Sequence, residues 1–336
     1  MVAPPWFAIP PVGYGGIESM VYLLTEGLVE RGHDVTLIGA GPTTTSARYR
    51  ATFTRPPSDK VGDAVLEVVH AARVSDLLRE LRPQVVHDHS VAGPLLADDR
   101  PLTILTAHGP SDGGFIEYYE VLTRHVRLVA ISEAQRNLAP QIRWFATVHN
   151  AIPVEEYPFR AEKEDFLLFL GRMSPDKGAH LAIETARTAG RPLLLAGKCS
   201  EPTEKEYFHT QIEPALDDRV RWLGEVDDQT KKDLLSRAWC LLFPIQWEEP
   251  FGLVMAEAMA CGTPVVTCPR GAAPELVRDG VTGYLREDVA PLARAVEQCG
   301  SIDPKACREH VRERFDVDVM VSGYEDVYRR AIKEAH

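Results

Sequence analysis

Phe166-Leu167-Leu168-Phe169-Leu170-Gly171-Arg172-Met173-Ser174-Pro175-Asp176-Lys177-Gly178 runs from five consecutive apolar residues into a turn holding glycine, proline and two cations. A short apolar run bounded by turn residues reads as a buried strand. A helical stretch from Gly178 to Ala189 follows it, and then a second apolar strand from Pro192 to Gly197. Strand, helix and strand in that order make a unit of a parallel sheet with helices on its faces.

The same alternation extends in both directions. Downstream, strands are expected at Arg219–Leu223, Cys240–Pro244 and Thr263–Thr267. Upstream, Met1-Val2-Ala3-Pro4 reads as the stub of a first strand, followed by a Pro- and Gly-rich loop and a helix from about Ile17 to Arg31. Ile17, Val21, Leu24 and Leu28 share one face of that helix, and Gly32 supplies its stop. Asp34–Ile38, Gln84–Val86, Leu102–Leu105 and Leu128–Ile131 are further strands, with a helix from Val74 to Leu81 among them, and Gly41 to Lys60 is a polar stretch with no strand or helix assigned. Pro153 and Pro158 in Asn150–Phe159 interrupt any period, which places the linker there. The expected fold is α/β, with two Rossmann-like domains whose parallel sheets face each other across a cleft, residues 1–152 and 153–315. Ligands of such sheets bind at the carboxyl ends of the strands.

With 336 residues and 45% apolar composition, the chain can bury a large core and is about twice the length of a typical domain. Its formal charge of -12 repels nucleic acid and acidic leaflets alike. An anionic ligand must therefore be held by local cations, backbone N–H groups and helix N-termini. Cys199, Cys240, Cys261, Cys268, Cys299 and Cys307 show neither a C-x-x-C pair nor zinc spacing, as suits a reducing compartment. Met1–Pro11 lacks the basic region of a signal peptide and is broken by Pro4, Pro5, Pro10 and Pro11. No apolar run approaches the roughly 20 residues of a membrane span. The expectation is a cytoplasmic protein without a transmembrane segment.

Several loops carry chemistry. Gly13-Tyr14-Gly15-Gly16-Ile17 opens the first helix, where free N–H groups and the positive dipole end favour an anion. A dinucleotide fingerprint would need glycine where Glu18 stands, and a tight turn in place of the Pro-rich insert. A plain glycine turn is the other reading. Arg172 and Lys177 sit on a loop at the sheet's carboxyl edge and can grip a diphosphate whose charge grows as a leaving group, although a solvated loop pair fits them equally.

Glu249-Pro250-Phe251-Gly252-Leu253-Val254-Met255-Ala256-Glu257-Ala258-Met259-Ala260-Cys261-Gly262 reads as a buried helix with Pro250 in its first turn and Gly262 at its end. Glu249 then lies at the helix mouth, as a ligand contact or a capping acid. Glu257 lies about two turns inside and needs a hydrogen-bond partner, for which a ribose diol is suited. His87-Asp88-His89 would put two imidazoles on one side of a strand end, either as cleft lining or as metal ligands, but no third ligand stands at a recognisable spacing. His108 follows another strand end, and Asp316-Val317-Asp318 reads as acids starting a helix.

In their joint order these motifs resemble the retaining GT-B glycosyltransferases of family four, which is similar to sucrose synthases, phosphatidylinositol mannosyltransferases and lipopolysaccharide core glucosyltransferases. The resemblance covers nearly the whole chain. It rests on Gly15-Gly16, His87-x-His89, Ala107-His108-Gly109, Ile131-Ser132-Glu133, Asn150-Ala151-Ile152, Gly171-Arg172 with Lys177-Gly178, Leu223-Gly224-Glu225-Val226, Glu249 with Glu257, and Gly280-x-x-Gly283. It implies a nucleotide diphosphate sugar as donor, no cofactor, no metal, and front-face transfer to an acceptor hydroxyl with retention. Gly16 would meet the donor phosphate, with Arg172 and Lys177 on the diphosphate. Val226 would line the base pocket, and Glu257 would hold the ribose. Glu249 would contact the transferred sugar, while Phe251, Gly252 and Leu253 offer backbone N–H groups. His108 would touch the sugar, and His87 and His89 would line the cleft or the acceptor site. The segment 316–336 would return to the first domain.

Two departures stand out. The family usually has several residues ahead of Val2, and the first half is compact where acceptor loops would lie. The base, the sugar and the acceptor stay open. A nucleotide-sugar epimerase and a non-catalytic nucleotide-sugar binding protein are the rival readings.

Overall fold

The computed structural model describes residues 1–11, 13, 15–95 and 101–335. The chain divides into two compact units, Met1–Ala151 with Val317–His336, and Ile152–Asp316.

The first unit contains α1 (Gly16–Glu30), β1 (Thr36–Ala40), β2 (Arg48–Phe53), α2 (Ala64–Leu81), β3 (Val85–Asp88), β4 (Leu102–Ala107), α3 (Gly114–Leu122), β5 (Arg127–Ala130), α4 (Glu133–Leu138) and β6 (Ala146–Thr147). β1 pairs with β2, and β3 to β6 pair in sequence order, all in parallel. The stub at the start of the chain joins these two ladders. Val2 bridges both Ile38 and Asp88, with Val2 N donating to His87 O at 2.8 Å and Ile38 N to Met1 O at 2.8 Å. The fully buried Val2 and Ala3 thus fill the lane between β1 and β3.

Two elements differ from the sequence reading. Gly41 to Lys60 is not all loop, because Arg48–Phe53 forms β2 alongside β1. Exposed Arg48 and Arg50 hide its strand pattern, and charged residues are what an outer strand carries against unwanted pairing. The helix expected from Val74 begins at Ala64 instead. Asp63 caps it by accepting from Val65 N and Leu66 N, which offsets the weak helix propensity of Val65, Val68 and Val69.

The last helix of the chain, Val317–Ala335, packs on α1 in this unit. A Cβ at Gly27 would lie 2.6 Å from Val321 Cγ2, so the bare glycine permits the close approach. Asp318, in the first turn, receives Arg31 at 3.0 Å.

The second unit contains β7 (Leu167–Leu170), α5 (Ala179–Thr188), β8 (Leu193–Ala196), α6 (Pro202–Tyr207), β9 (Val220–Trp222), α7 (Asp228–Arg237), β10 (Cys240–Phe243), α8 (Leu253–Ala260), β11 (Val265–Thr267), α9 (Ala273–Leu276), β12 (Gly283–Leu285), α10 (Val289–Gln298) and α11 (Pro304–Phe315). Its strands are parallel in the order β12-β11-β10-β7-β8-β9. The chain therefore starts in the middle at β7, builds outward to β9, then crosses back to β10 and builds the other way. The loops after β7 and β10 diverge where that order reverses, and this is where α/β sheets hold ligands.

The core around β7 is apolar. Leu167, Leu168, Phe169, Leu241 and Leu242 are fully buried, each worth about 1.5–3 kcal/mol of transfer free energy. The six cysteines are free thiols, and Cys199 alone of them is not buried. Among the described residues no helix is long and apolar enough to cross a membrane.

Candidate active site

The loop after β7 and the loop after β10 meet at the reversal point. A Cβ at Gly178, whose φ is +79°, would lie 2.0 Å from Pro244 O, so only glycine lets the two loops approach this closely. Lys177 precedes it at the end of a 3-10 turn, Pro175–Lys177. Its Nζ lies 2.5 Å from Glu249 Oε2 and 4.6 Å from the centre of the Trp247 ring. Trp247 Nε1 donates to the same Glu249 oxygen at 2.9 Å.

Arg172, on the same loop as Lys177, keeps 38% of its side chain exposed. Its nearest carboxylates are Glu204 at 3.4 Å and Asp176 at 4.0 Å. Glu204 is itself committed to the turn before α6, accepting from Ser200 N at 2.9 Å and Glu201 N at 3.1 Å. A guanidinium with such long contacts and open solvent retains donors for an incoming anion.

Glu249 sits on backbone that tolerates no side chain beside it. A Cβ at Gly271, with φ +54°, would lie 2.2 Å from Glu249 N and 2.3 Å from Glu249 O. The following helix differs from its sequence reading. α8 begins at Leu253 rather than at Pro250, with Gly252 in the left-handed region as its cap. Pro250 therefore lies ahead of the helix, Glu249 stands clear of its first turn, and Glu257 is one turn inside rather than two. The cause is Gly252, whose φ of +87° no helix continues through. Phe251 is buried edge-on against Phe315, while Leu253 opens the helix half-buried, where N–H groups lack intrahelical partners.

Glu257 receives two protein donors on one oxygen, Tyr157 Oη at 2.9 Å and Lys231 Nζ at 2.8 Å. Burial pulls the Lys231 ammonium down, but the Glu257 and Asp228 carboxylates outweigh it and hold it above its ordinary value. Burial and then the Glu257 carboxylate push the Tyr157 phenol well up. Glu257 thus has the partners its burial demands, and neither is signalled by the sequence around it. A lysine in a polar helix and a tyrosine in the linker carry no signal of where they will point. Val226 lies half-buried beyond β9, two residues after Gly224, whose carbonyl accepts from Gly197 N at 3.0 Å.

The first unit holds the remaining candidates. Gly15, at φ +153°, precedes α1, and a Cβ there would lie 2.6 Å from Pro11 Cβ. Gly16 is the first residue of α1, and Glu18 in its first turn is 3% exposed, its carboxyl pushed up to about 7 by burial.

His87, His89 and His108 gather at the carboxyl ends of the adjacent strands β3 and β4. The His87 and His89 ring centres are 4.1 Å apart. His87 is bonded to Tyr328 Oη at 2.7 Å and Thr106 Oγ1 at 2.8 Å, and His89 to His108 Nε2 at 2.8 Å. Burial holds His87 and His89 well below the usual imidazole range, and His108 down to about 4, so these rings are neutral at pH 7. Both nitrogens of His87 are thus spent on hydroxyls rather than offered to a cation. Gln135 escaped the sequence reading, yet its Nε2 donates to Ala107 O at 2.9 Å and to Gly109 O at 2.7 Å, fixing the turn that presents His108. A cavity of about 530 Å³ runs from Thr36, Gln84 and Val85 as far as His87 and Tyr328.

Residues 155–311 match the model of glycosyl transferases group 1, and residues 14–162 match that of glycosyltransferase family 4. The chain is 29% identical to a glycogen synthase of Mycobacterium tuberculosis, over 96% of this chain and 92% of the relative. Among solved structures, AviGT4, a glycosyltransferase involved in avilamycin A biosynthesis, superposes with a TM-score of 0.75 and 27% identity, covering 99% of this chain and 97% of the other. Anabaena HepE in complex with UDP-glucose shares the fold, with a TM-score of 0.76 and 18% identity over 98% and 99% of the two chains. Two family models that together run from the loop before α1 to α11, on a GT-B fold, lead to one conclusion: the chain belongs to the glycosyltransferases of family four.

Proposed function

We propose that this glycosyltransferase moves a hexose or related sugar from a nucleotide diphosphate sugar to an acceptor hydroxyl, with retention of configuration and without a metal ion. One observation carries the reading. Lys177 and Glu249, from loops on either side of the sheet's reversal point, are in contact, with Arg172 on the same loop as Lys177. A cation pair answers a diphosphate, and a carboxylate beside it answers sugar hydroxyls.

In this reading the bond from the anomeric carbon to the phosphate oxygen breaks, and its electron pair leaves with the nucleoside diphosphate. The acceptor oxygen bonds to the same carbon from the same face, and its proton passes to the departing phosphate oxygen. Arg172 and Lys177 stabilise the charge that gathers there, a contact of the kind worth about 3–4 kcal/mol. Glu249 orients the sugar with the N–H groups of Phe251, Gly252 and Leu253, Glu257 takes the ribose, and Val226 lines the base pocket. In the first unit, Gly15 and Gly16 form the phosphate-facing turn, His108 is assigned to the sugar, and His87 and His89 to the acceptor. The UDP-glucose held by HepE supports a nucleotide-sugar donor.

A thermal-shift screen of nucleoside diphosphates in chelator tests this, because a ligand that binds only the folded state raises the melting temperature. The expected result is stabilisation by one base above the others, followed by release of that nucleotide from its sugar conjugate. Stabilisation by none of them, or turnover only after a divalent metal is added, would contradict it.

A further inference from the structure

Each acid of the Glu249/Glu257 pair divides its two oxygens in the same way. Glu249 Oε2 takes Lys177 Nζ at 2.5 Å and Trp247 Nε1 at 2.9 Å. Glu257 Oε1 takes Lys231 Nζ at 2.8 Å and Tyr157 Oη at 2.9 Å. Among the described residues no protein donor reaches Glu249 Oε1. A carboxylate oxygen holding an ammonium and a second donor has used its two lone pairs, so the other oxygen is the one offered to a ligand.

Trp247 does two things at once. Its N–H fixes which oxygen of Glu249 is spent, and its ring lies under the Lys177 ammonium at 4.6 Å. The ring face attracts that cation independently of Glu249. Lys177 is thereby kept in place even as a bound anion draws on its donors, and Glu249 need not turn to follow it. The backbone reinforces this arrangement, since Glu249 N donates to Trp247 O at 3.0 Å and Ala272 N to Glu249 O at 2.8 Å.

We propose that Trp247 is a positioning residue for the transfer step, holding the free Oε1 of Glu249 on the donor's sugar and holding Lys177 beside the diphosphate. The inference rests on the donor reading above. It separates the two halves of Trp247: the indole N–H serves the sugar, and the ring serves the cation.

The test compares Trp247→Phe, which keeps a ring and loses the N–H, with Trp247→Leu, which loses both. The nucleoside diphosphate used is the one that most raises the wild-type melting temperature, together with its sugar conjugate. W247F should bind the free nucleoside diphosphate within about twofold of wild type while its kcat on the sugar conjugate falls about tenfold. W247L should lose about tenfold in nucleoside diphosphate affinity as well. In W247F combined with Glu249→Gln, kcat should be no lower than in Glu249→Gln alone, because both changes break one link.

A merely structural tryptophan would lower stability and leave the two losses multiplying, which would overturn the proposal, as would full kcat in W247F. Should either Trp247 variant fail to fold, the nitrogen-15 indole spectrum of Glu249→Gln decides, with the Trp247 resonance expected to shift and an unmoved spectrum refuting the contact. Absence of any nucleoside diphosphate binding by wild type would instead remove the donor reading itself.

Discussion

Lys177 Nζ and Glu249 Oε2 lie 2.5 Å apart although 72 residues separate them in sequence, with their side chains only 13% and 10% exposed. Removing one member of so sheltered a pair strands the other charge, which costs more than the pair itself contributes. Lys177→Met should therefore lower stability by about 3 kcal/mol and turnover by about 10²–10³-fold. Adding Glu249→Gln should restore most of the stability and none of the turnover. Denaturant midpoints and rates on the same preparations check both, and recovery of turnover in the double variant would be the contrary result.

Gly271 offers a backbone test of the same spot. A Cβ there would stand 2.2 Å from Glu249 N at a φ of +54°, so Gly271→Ala must push the Glu249 backbone aside. A stability loss above about 2 kcal/mol is expected, together with a drop in turnover persisting at temperatures where the variant is fully folded. Unchanged turnover under those conditions would mean that the position of Glu249 is not critical.

Glu18 sets a pH dependence of opposite sign to that of most carboxylates. Burial raises it from 4.5 to about 7 in the folded chain. Its contribution is thus complete below the unfolded value and is lost as pH rises through the folded one, a window from about 4.5 to 7. Glu18→Gln should be about 3 kcal/mol more stable than wild type at pH 8 and nearly equal to it at pH 4, in urea melts at the two pH values. Equal stability at pH 8 would show that Glu18 ionises without penalty.

The histidines act the other way. His70 and His108 are lowered from 6.5 to about 4 by burial, and His87 and His89 fall well below 6.5. Their folded forms are neutral, so stability is present above pH 6.5 and drains as pH falls toward 4. His70 and His108 each contribute on the order of 3 kcal/mol once the window from 6.5 to 4 is crossed, so these two together outweigh the gain from Glu18, and His87 and His89 act in the same direction. Wild-type melting temperature should fall steeply between pH 6.5 and 4.5, and a flat profile would contradict the neutral cluster.

Much of this was legible in the sequence wherever a run of residues shares one environment. Phe166–Leu170 is apolar without interruption because both faces of β7 are covered, so burial is written into every position. β2 was not legible, since only one side of Arg48–Phe53 is covered and its arginines face solvent. The start of α2 was missed because three valines mask a helix that Asp63 begins by capping. At the candidate site the loop residues could be named from spacing, but not their pairing. That Lys231 and Tyr157 converge on Glu257, or that Gln135 holds the His108 turn, depends on contacts across 26 to 100 residues, which no local pattern records.

The most direct measurement is calorimetric titration of nucleoside diphosphates, in chelator, into wild type and into a variant combining Arg172→Ala with Lys177→Ala. One base should bind the wild type, and the variant should bind it at least about a hundredfold more weakly, as expected when two charge-assisted contacts worth about 1.5–3 kcal/mol each are removed. Equal affinity in the two proteins, with the variant folded, would mean that these cations do not hold the diphosphate.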